Sequence, residues 1–220
     1  MKILTTLCTA LFVFNYGLLQ AQTTEIIGYT SPNDIEIIDD INELSAFQKG
    51  DLIFSKARGL FAISPINNIN NRAINKLKTE ASMRGASHIY INYRNIENST
   101  LSKSAMYSAR VYKGKPLNFQ EINQAVSGKK LIITKQVYFS RNDWKANEKE
   151  IYSFSNISLN EPVEERNGKV FIKIRSKDYK SGKLSSGDYY EVVGFNQDTI
   201  LIFTEEVAGK EYVLHHVKIE

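Results

Sequence analysis

Six short segments rich in β-branched and aromatic residues fill the second half of the chain and constrain its fold most. They are Leu131 to Phe139, Ile151 to Phe154, Lys169 to Ile174, Tyr189 to Phe195, Thr199 to Glu205 and Tyr212 to Ile219. Turn signals such as Asn167-Gly168, Ser186-Gly187, Asn196-Gln197-Asp198 and Ala208-Gly209 separate them. The pattern predicts six strands, the last three forming an antiparallel meander. Short strands need closure or a second layer to protect their edges, which favours a small barrel or sandwich.

The first half has a different pattern, which predicts the order strand, strand, helix, strand, strand. The predicted strands cover residues 35–38, 51–57, 88–93 and 105–112. Between the second and third, apolar residues recur every three or four positions and form one stripe of a helix: Ile66, Ile69, Ala73, Ile74, Leu77 and Ala81. Asn70, Lys76, Lys78 and Glu80 are expected to face water. Asn67, Asn68 or Asn70 is expected to cap the start of this helix, and Gly85 to end it.

These two patterns predict an α+β fold class with two domains. Residues 23–114 form a small domain with one main helix on a sheet, and residues 129–220 form an all-β domain. The segment 115–128 carries both a proline and a glycine and reads as a linker, in which residues 120–126 form one or two helical turns. With 42% hydrophobic residues, 12 Tyr and 11 Phe, the chain can bury enough apolar surface to fold.

The first 22 residues have the pattern of a secretory signal peptide. Lys2 supplies the positive charge, residues 3–19 are mostly apolar, and Ala21 offers a small residue for cleavage. The apolar run is short for a membrane span. We therefore expect an exported protein, periplasmic or extracellular, with no transmembrane span after cleavage.

The position of the single cysteine excludes several kinds of cysteine chemistry. The only cysteine, Cys8, lies inside the signal peptide. Leu7 precedes it and most of the apolar run follows it, which argues against a lipoprotein. After cleavage the chain has no disulfide, no thiol nucleophile and no cysteine ligand for a metal. The formal charge of +4 is spread without a basic block, so we expect no nucleic-acid partner.

Part of the first half resembles a group of small bacterial domains. The run Ala73-x3-Leu77-x3-Ala81-x3-Gly85-Ala86-x2-Ile89-x-Ile91 and the later strand end Ala109-Arg110-Val111-Tyr112 carry the likeness, together with Phe47-Gln48-Lys49-Gly50-Asp51. The group includes the YbjQ-like family, labelled heavy-metal-binding, and the sensor domain of the lipoprotein RcsF. The resemblance covers roughly residues 33–113. RcsF-type domains carry disulfides and a lipid anchor that this chain lacks, so neither sensing nor metal binding is carried over.

No motif in the sequence predicts a metal or a catalytic centre. His215 and His216 are adjacent, but neighbouring side chains on a strand point to opposite faces and cannot chelate one ion together. The acidic pairs 39–40, 164–165 and 205–206 are expected to be solvated loop edges rather than catalytic carboxylates. There is no G-x-S-x-G elbow, and the segment 180–183 lacks the residues of a phosphate-binding loop, so it reads as a turn. We expect no cofactor.

Surface aromatic and histidine side chains are the remaining candidates for a binding surface. They are Trp144, Tyr189, Tyr190, His215 and His216. The leading hypothesis is a non-enzymatic envelope protein that acts as an interaction or sensor module with a protein partner, and that associates with itself through exposed strand edges. The alternative is a small-molecule or glycan-binding module, or a weak hydrolase, whose pocket in the β-domain is lined by exposed Tyr and Trp144.

Overall fold

The computed structural model describes residues 25–59, 63–144, 148–159, 163–175 and 188–220, without the side chains of residues 153 and 175. The predicted signal peptide, the turn at 180–183 and the Ser186-Gly187 turn lie outside these residues. Over these residues the fold is mostly β, with two α-helices and two sheets. None of the helices in the described ranges has the length and apolar character needed to cross a membrane.

The first sheet carries the longer helix. Its strands are β1 Glu36–Ile38, β2 Gln48–Arg58, β3 His88–Asn98 and β4 Lys103–Lys113, in the order β1-β3-β4-β2. β1 runs parallel to β3, and the other neighbours are antiparallel. Helix α1, Ile66–Met83, packs on one face of this sheet. The predicted element order of the first half is therefore confirmed, and β2 lies at the edge of the sheet.

Helix α1 buries the predicted apolar stripe. Ile69, Ala73, Leu77 and Ala81 are all fully buried against the sheet. The predicted asparagine cap is wrong: the N-cap is Pro65, without a side-chain cap, because the helix begins at Ile66, ahead of all three asparagines. The hydroxyl of Tyr107 instead donates to the Asn70 side chain.

Gly85 ends helix α1, as predicted. It adopts the left-handed conformation with φ +71°. The N–H groups of Gly85 and Ala86 donate to the carbonyls of Ser82 and Ala81 at 2.9 and 3.0 Å, which is the bonding pattern of a Schellman motif. The chain then turns directly into β3.

Two side chains of helix α1 contradict the expectation that they face water. Lys76 is 4% exposed and Glu80 is 0% exposed. Both are buried because side chains from the second half of the chain cover them. Lys76 donates to the carbonyl of Arg141 at 2.7 Å, and Glu80 accepts from the Arg141 guanidinium.

The second sheet closes on itself. Its strands are β5 Leu131–Ser140, β6 Lys149–Leu159, β7 Glu164–Arg166, β8 Lys169–Arg175, β9 Tyr189–Phe195, β10 Thr199–Val207 and β11 Glu211–Ile219. The order is β6-β5-β11-β10-β9-β8-β7, and an additional pairing of β6 with β8 completes a barrel. The meander of the last three strands is confirmed. The short strand β7 was not predicted.

Helix α2, Phe119–Val126, forms where helical turns were predicted between the two patterns. The Asn118 side chain caps it by accepting from the N–H of Gln120 at 2.9 Å. Ile122 and Val126 are fully buried in the apolar core inside the barrel. The segment between the halves thus contributes to the core of the second sheet. The proposed linker over residues 115–128 stays a prediction.

A buried ion-pair network joins helix α1 to the barrel. Arg141, at the end of β5, donates to both carboxylate oxygens of Glu80, at 2.7 and 2.8 Å. Arg84 donates to Glu80 at 3.2 Å, to Asp51 at 3.1 Å and to Glu205 at 2.5 Å. The ring of Tyr212 lies beneath both guanidinium groups, 5.3 and 5.4 Å from their central carbons. The network therefore fixes the end of β5 against the first sheet.

At the centre of this network, neighbouring opposite charges shift the pKa values more than burial does. Burial lowers the pKa of Arg84, but the carboxylates of Glu80, Glu205 and Asp51 outweigh it, and the net shift is upward. Burial raises the pKa of Asp51, but the nearby positive charges of Lys169 and Arg84 lower it by more, so its net shift is downward. Both shifts mean that the folded protein stabilises the charged forms of these groups.

Candidate functional site

A cleft of about 380 Å³ opens beside the edge of the first sheet. Strand β2 forms one side, helix α1 a second, and the segment that follows β5 the third. The cleft is lined by Phe54, Ser55, Lys56, Ala57, Arg58, Arg72, Lys76, Met106, Arg141, Asn142, Asp143 and Trp144. Five of these twelve side chains are basic and one is acidic. The cleft is therefore cationic, and it is formed by elements from both halves of the chain.

Two basic side chains of helix α1 cross the edge of β2. Residues four apart in a helix share a face, so Arg72 and Lys76 point to the same side. Arg72 donates to the carbonyl of Arg58 at 2.7 Å, and Lys76 approaches the carbonyl of Lys56 at 3.4 Å. These bonds hold both cationic groups at the wall of the cleft without neutralising either charge.

Four of the five positive charges in the cleft are poorly compensated, whereas Arg141 is paired with Glu80. Within the ranges that the structure describes, no carboxylate forms an ion pair with Lys56, Arg58, Arg72 or Lys76; the one acidic lining residue, Asp143, lies 3.8 Å from Lys149. Burial lowers the pKa of Lys76, the charge of Arg72 lowers it further, and Asp143 opposes both. Burial also lowers the pKa of Arg72. An anion in the cleft would relieve this unfavourable arrangement.

Aromatic and apolar groups form the rest of the wall. Trp144 is 46% exposed and lies flat against Arg72, whose guanidinium carbon is 3.7 Å from the ring centroid. Phe54 is 47% exposed, and Arg141 lies 5.9 Å from its ring. A cation stacked on an exposed indole provides both a charge and a flat apolar surface for one ligand.

Ser55 adds a polar group at the back of the cleft. Its side chain is buried, and its hydroxyl oxygen has no hydrogen-bond partner among the described residues. A buried hydroxyl without a hydrogen-bond partner destabilises the folded state. A ligand oxygen in the cleft can accept a hydrogen bond from this hydroxyl.

The structure places Trp144 in this cleft but separates the other predicted surface residues from it. Tyr189 is half-buried at the barrel, where its hydroxyl donates to Glu164 at 2.8 Å and its ring stacks with Arg166 at 4.0 Å. Tyr190 points to the opposite face and is buried in the barrel core. Neither tyrosine lines the cleft that contains Trp144.

His215 and His216 point to opposite faces, as strand geometry predicts. His215 is buried, with Gln136 Nε2 at 3.1 Å from Nδ1 and Thr204 Oγ1 at 3.1 Å from Nε2. The Gln136 amide nitrogen can only donate, so the neutral ring accepts at Nδ1 and donates from Nε2 to Thr204. Burial, and to a smaller extent His216, lowers the pKa of His215 to about 4. This is a satisfied structural histidine inside the sheet.

The buried His215 predicts a loss of stability in mild acid. An unfolded histidine titrates near pH 6.5, whereas the folded pKa is about 4, so between these values the unfolded chain binds the extra proton. The stabilisation is complete above pH 6.5 and falls as the pH drops towards 4, by about 3 kcal/mol over the window. We expect His215→Gln to remove about half of this pH dependence in urea unfolding followed against pH, because burial lowers the pKa of the neighbouring His216 to about 4 as well. An NMR titration of His215 with a midpoint near pH 6.5 would contradict the assignment.

The sequence pattern did not predict the cationic wall of the cleft, which is formed by the side chains of Arg72 and Lys76. It assigned Lys76 to water and gave Arg58 and Arg72 no role. The available signal was the four-residue spacing of Arg72 and Lys76, which places two cations on one helix face. The opposing wall comes from residues 141–144, and no local pattern indicates that this segment packs there.

Neither a metal centre nor a known relative assists the interpretation. Among the residues that the structure describes, no three His, Cys, Asp or Glu side chains are arranged to hold a metal ion. No family model, no curated protein and no solved structure matches this chain. The resemblance to YbjQ-like and RcsF-type domains stays a prediction, and the cleft is interpreted from its own chemistry.

Proposed function

We propose that the protein is an exported, non-enzymatic binding module whose cleft beside β2 holds a small anionic ligand. The observation that carries this proposal is the pairing of uncompensated cations with an exposed indole in one concave site. Lys76 and Arg72 supply charge to a carboxylate or phosphate group, and Trp144 and Phe54 supply apolar surface to the body of the ligand.

This proposal follows the alternative hypothesis of a ligand-binding module, but it places the binding site elsewhere in the fold. The sequence placed a pocket within the β-domain, whereas this cleft also needs β2 and helix α1 from the first half. We propose that residues 23–114 and 129–220 act as two units that share one site. A protein partner in the cell envelope and association between copies of the chain stay predictions.

The single tryptophan of the chain makes this site directly observable. Because Trp144 is the only tryptophan, its fluorescence reports the cleft without labelling. We expect inorganic phosphate and the monosaccharide galacturonate each to change Trp144 emission in a saturable way. Neutral galactose should leave the emission unchanged, because it carries no anionic group.

Substitution of the cationic wall tests the roles of its members. We expect Lys76→Gln and Arg72→Gln each to weaken galacturonate binding about tenfold, since each removes one charge-assisted contact. The matched control is Lys129→Gln, which removes an exposed lysine from the turn before β5. Equal effects of all three variants, or equal binding of galactose and galacturonate by the wild type, would refute the proposal.

A further inference from the structure

The cleft continues onto the open face of the first sheet. A second depression of about 330 Å³ lies next to it, and the two share Lys56, Arg58 and Met106. The second depression extends to Asn95 and Glu97 on β3. Together they form one groove, which we call the sheet groove, running from Trp144 across β2 and β4 to β3.

The register of the strands sets the floor of the sheet groove. Phe54 on β2 pairs with Ser108 on β4, and Ser108 pairs with Tyr93 on β3. Directly paired residues point to the same face, so the small serine lies between two aromatic side chains. Tyr93 is 52% exposed and lines neither depression, so it borders the sheet groove on the β3 side. The two strands that carry these aromatic rings lie two strand spacings apart, roughly 10 Å.

The next row of the floor carries polar and charged groups. Lys56 pairs with Met106, and Met106 pairs with Asn95. In the row beyond, Ser104 lies between Arg58 and Glu97 and donates to the Glu97 carboxylate at 3.5 Å. Cations therefore occupy the middle of the groove, with Asp143 near one end and Glu97 near the other.

Edge pairing by a peptide is disfavoured at this groove. A bound strand would need the outward carbonyls of Lys56 and Arg58, and these already accept from Lys76 and Arg72. Recognition must therefore use side chains. The carboxylates of Asp143 and Glu97 can accept hydrogen bonds from ligand hydroxyl groups, which a sugar chain carries on every ring.

We infer that the sheet groove binds an extended acidic polysaccharide, a chain of sugar rings that carry carboxylates. The inference rests on the proposed function and extends it from one anionic unit to a polymer. Sugar carboxylates meet Lys56, Arg58 and Lys76, sugar hydroxyls meet Asn95 and Glu97, and the flat apolar faces of the rings pack on Phe54 and Tyr93. This ligand matches the groove in charge, in polarity and in extended form.

Chain length is the variable that tests this inference. We expect the affinity of the full exported chain for oligogalacturonides to rise with length until the sheet groove is filled, as measured by Trp144 fluorescence and calorimetry. Tyr93→Ala should lower the affinity for long oligomers about tenfold and leave galacturonate binding unchanged, since Tyr93 lies outside the first cleft. The matched control is Phe154→Ala, which removes an exposed aromatic ring from β6; it should change neither.

The outcomes separate this inference from the proposed function. If galacturonate binds but affinity does not rise with length, the inference fails and the proposed function stands. If neither the monosaccharide nor the oligomers bind, both fail. Equal or tighter binding of poly-glutamate or of single-stranded oligo-deoxythymidine would overturn the polysaccharide assignment in favour of a peptide or a nucleic acid.

Discussion

Replacement of Glu80 by glutamine is expected to destabilise the protein by about 3 kcal/mol, one of the two largest effects that we expect from a single substitution. The Glu80 carboxylate is inaccessible to water and accepts hydrogen bonds from both Arg141 and Arg84. Glutamine keeps the shape of the side chain but removes its charge. Arg141 then loses its one carboxylate partner among the described residues, so the desolvation of its guanidinium is no longer offset, while Arg84 keeps only Asp51 and Glu205.

Glu205→Gln is the matched control for this prediction. Glu205 also accepts from Arg84, at 2.5 Å, but its side chain is about one-third exposed. An ion pair that water reaches contributes about 1 kcal/mol or less. Urea unfolding of both variants, followed by far-ultraviolet circular dichroism, measures the difference. If Glu80→Gln loses no more stability than Glu205→Gln, the buried network contributes less than its geometry implies.

The second large effect is expected from Gly85→Ala, at about 3 kcal/mol. Alanine at φ +71° costs about 1 kcal/mol because its Cβ crowds the following carbonyl. The Cβ would also lie 2.5 Å from the carbonyl oxygen of Val193 and 3.0 Å from that of Gly28. Both neighbours are backbone atoms, so relief requires helix α1 to move away from β9.

The variant Gly128→Ala separates the cost of the positive φ angle from the cost of the steric clash. Gly128 has φ +68°, but no atom lies within 4 Å of the position that a Cβ would take. We expect this variant to lose only the conformational part, about 1 kcal/mol. Equal losses for the two variants in the same unfolding experiment would show that Gly85 is required for its φ angle alone and not for the close approach to Val193.

Local patterns predicted those parts of the fold that depend on neighbours in sequence. The apolar stripe of helix α1, its end at Gly85 and the meander of the last three strands follow from periodicity and turn residues, which act over a few positions. The start of helix α1 was misplaced because the asparagines offered a familiar cap, whereas the chain turns into the helix immediately after Pro65.

The candidate site depends on contacts that are distant in sequence. Lys76 bonds to a residue 65 positions away, and Glu80 to one 61 positions away. A sequence pattern shows that such residues are polar, but it does not show which element will cover them. Trp144 was identified as a candidate because aromatic side chains can line a ligand surface, while the cations around it became visible only in the folded chain.

The position of Arg72 and Lys76 on the carbonyls of β2 has an evolutionary consequence. An uncovered edge strand can recruit strands from unfolded or crowded neighbours, and natural proteins use charged side chains to prevent this. Arg72 and Lys76 protect the edge of β2 in this way whether or not a ligand is bound in the cleft. A substitution at either position therefore reduces ligand affinity and raises the tendency to aggregate together. Selection against aggregation alone would preserve the cationic wall in a lineage that no longer needed its ligand.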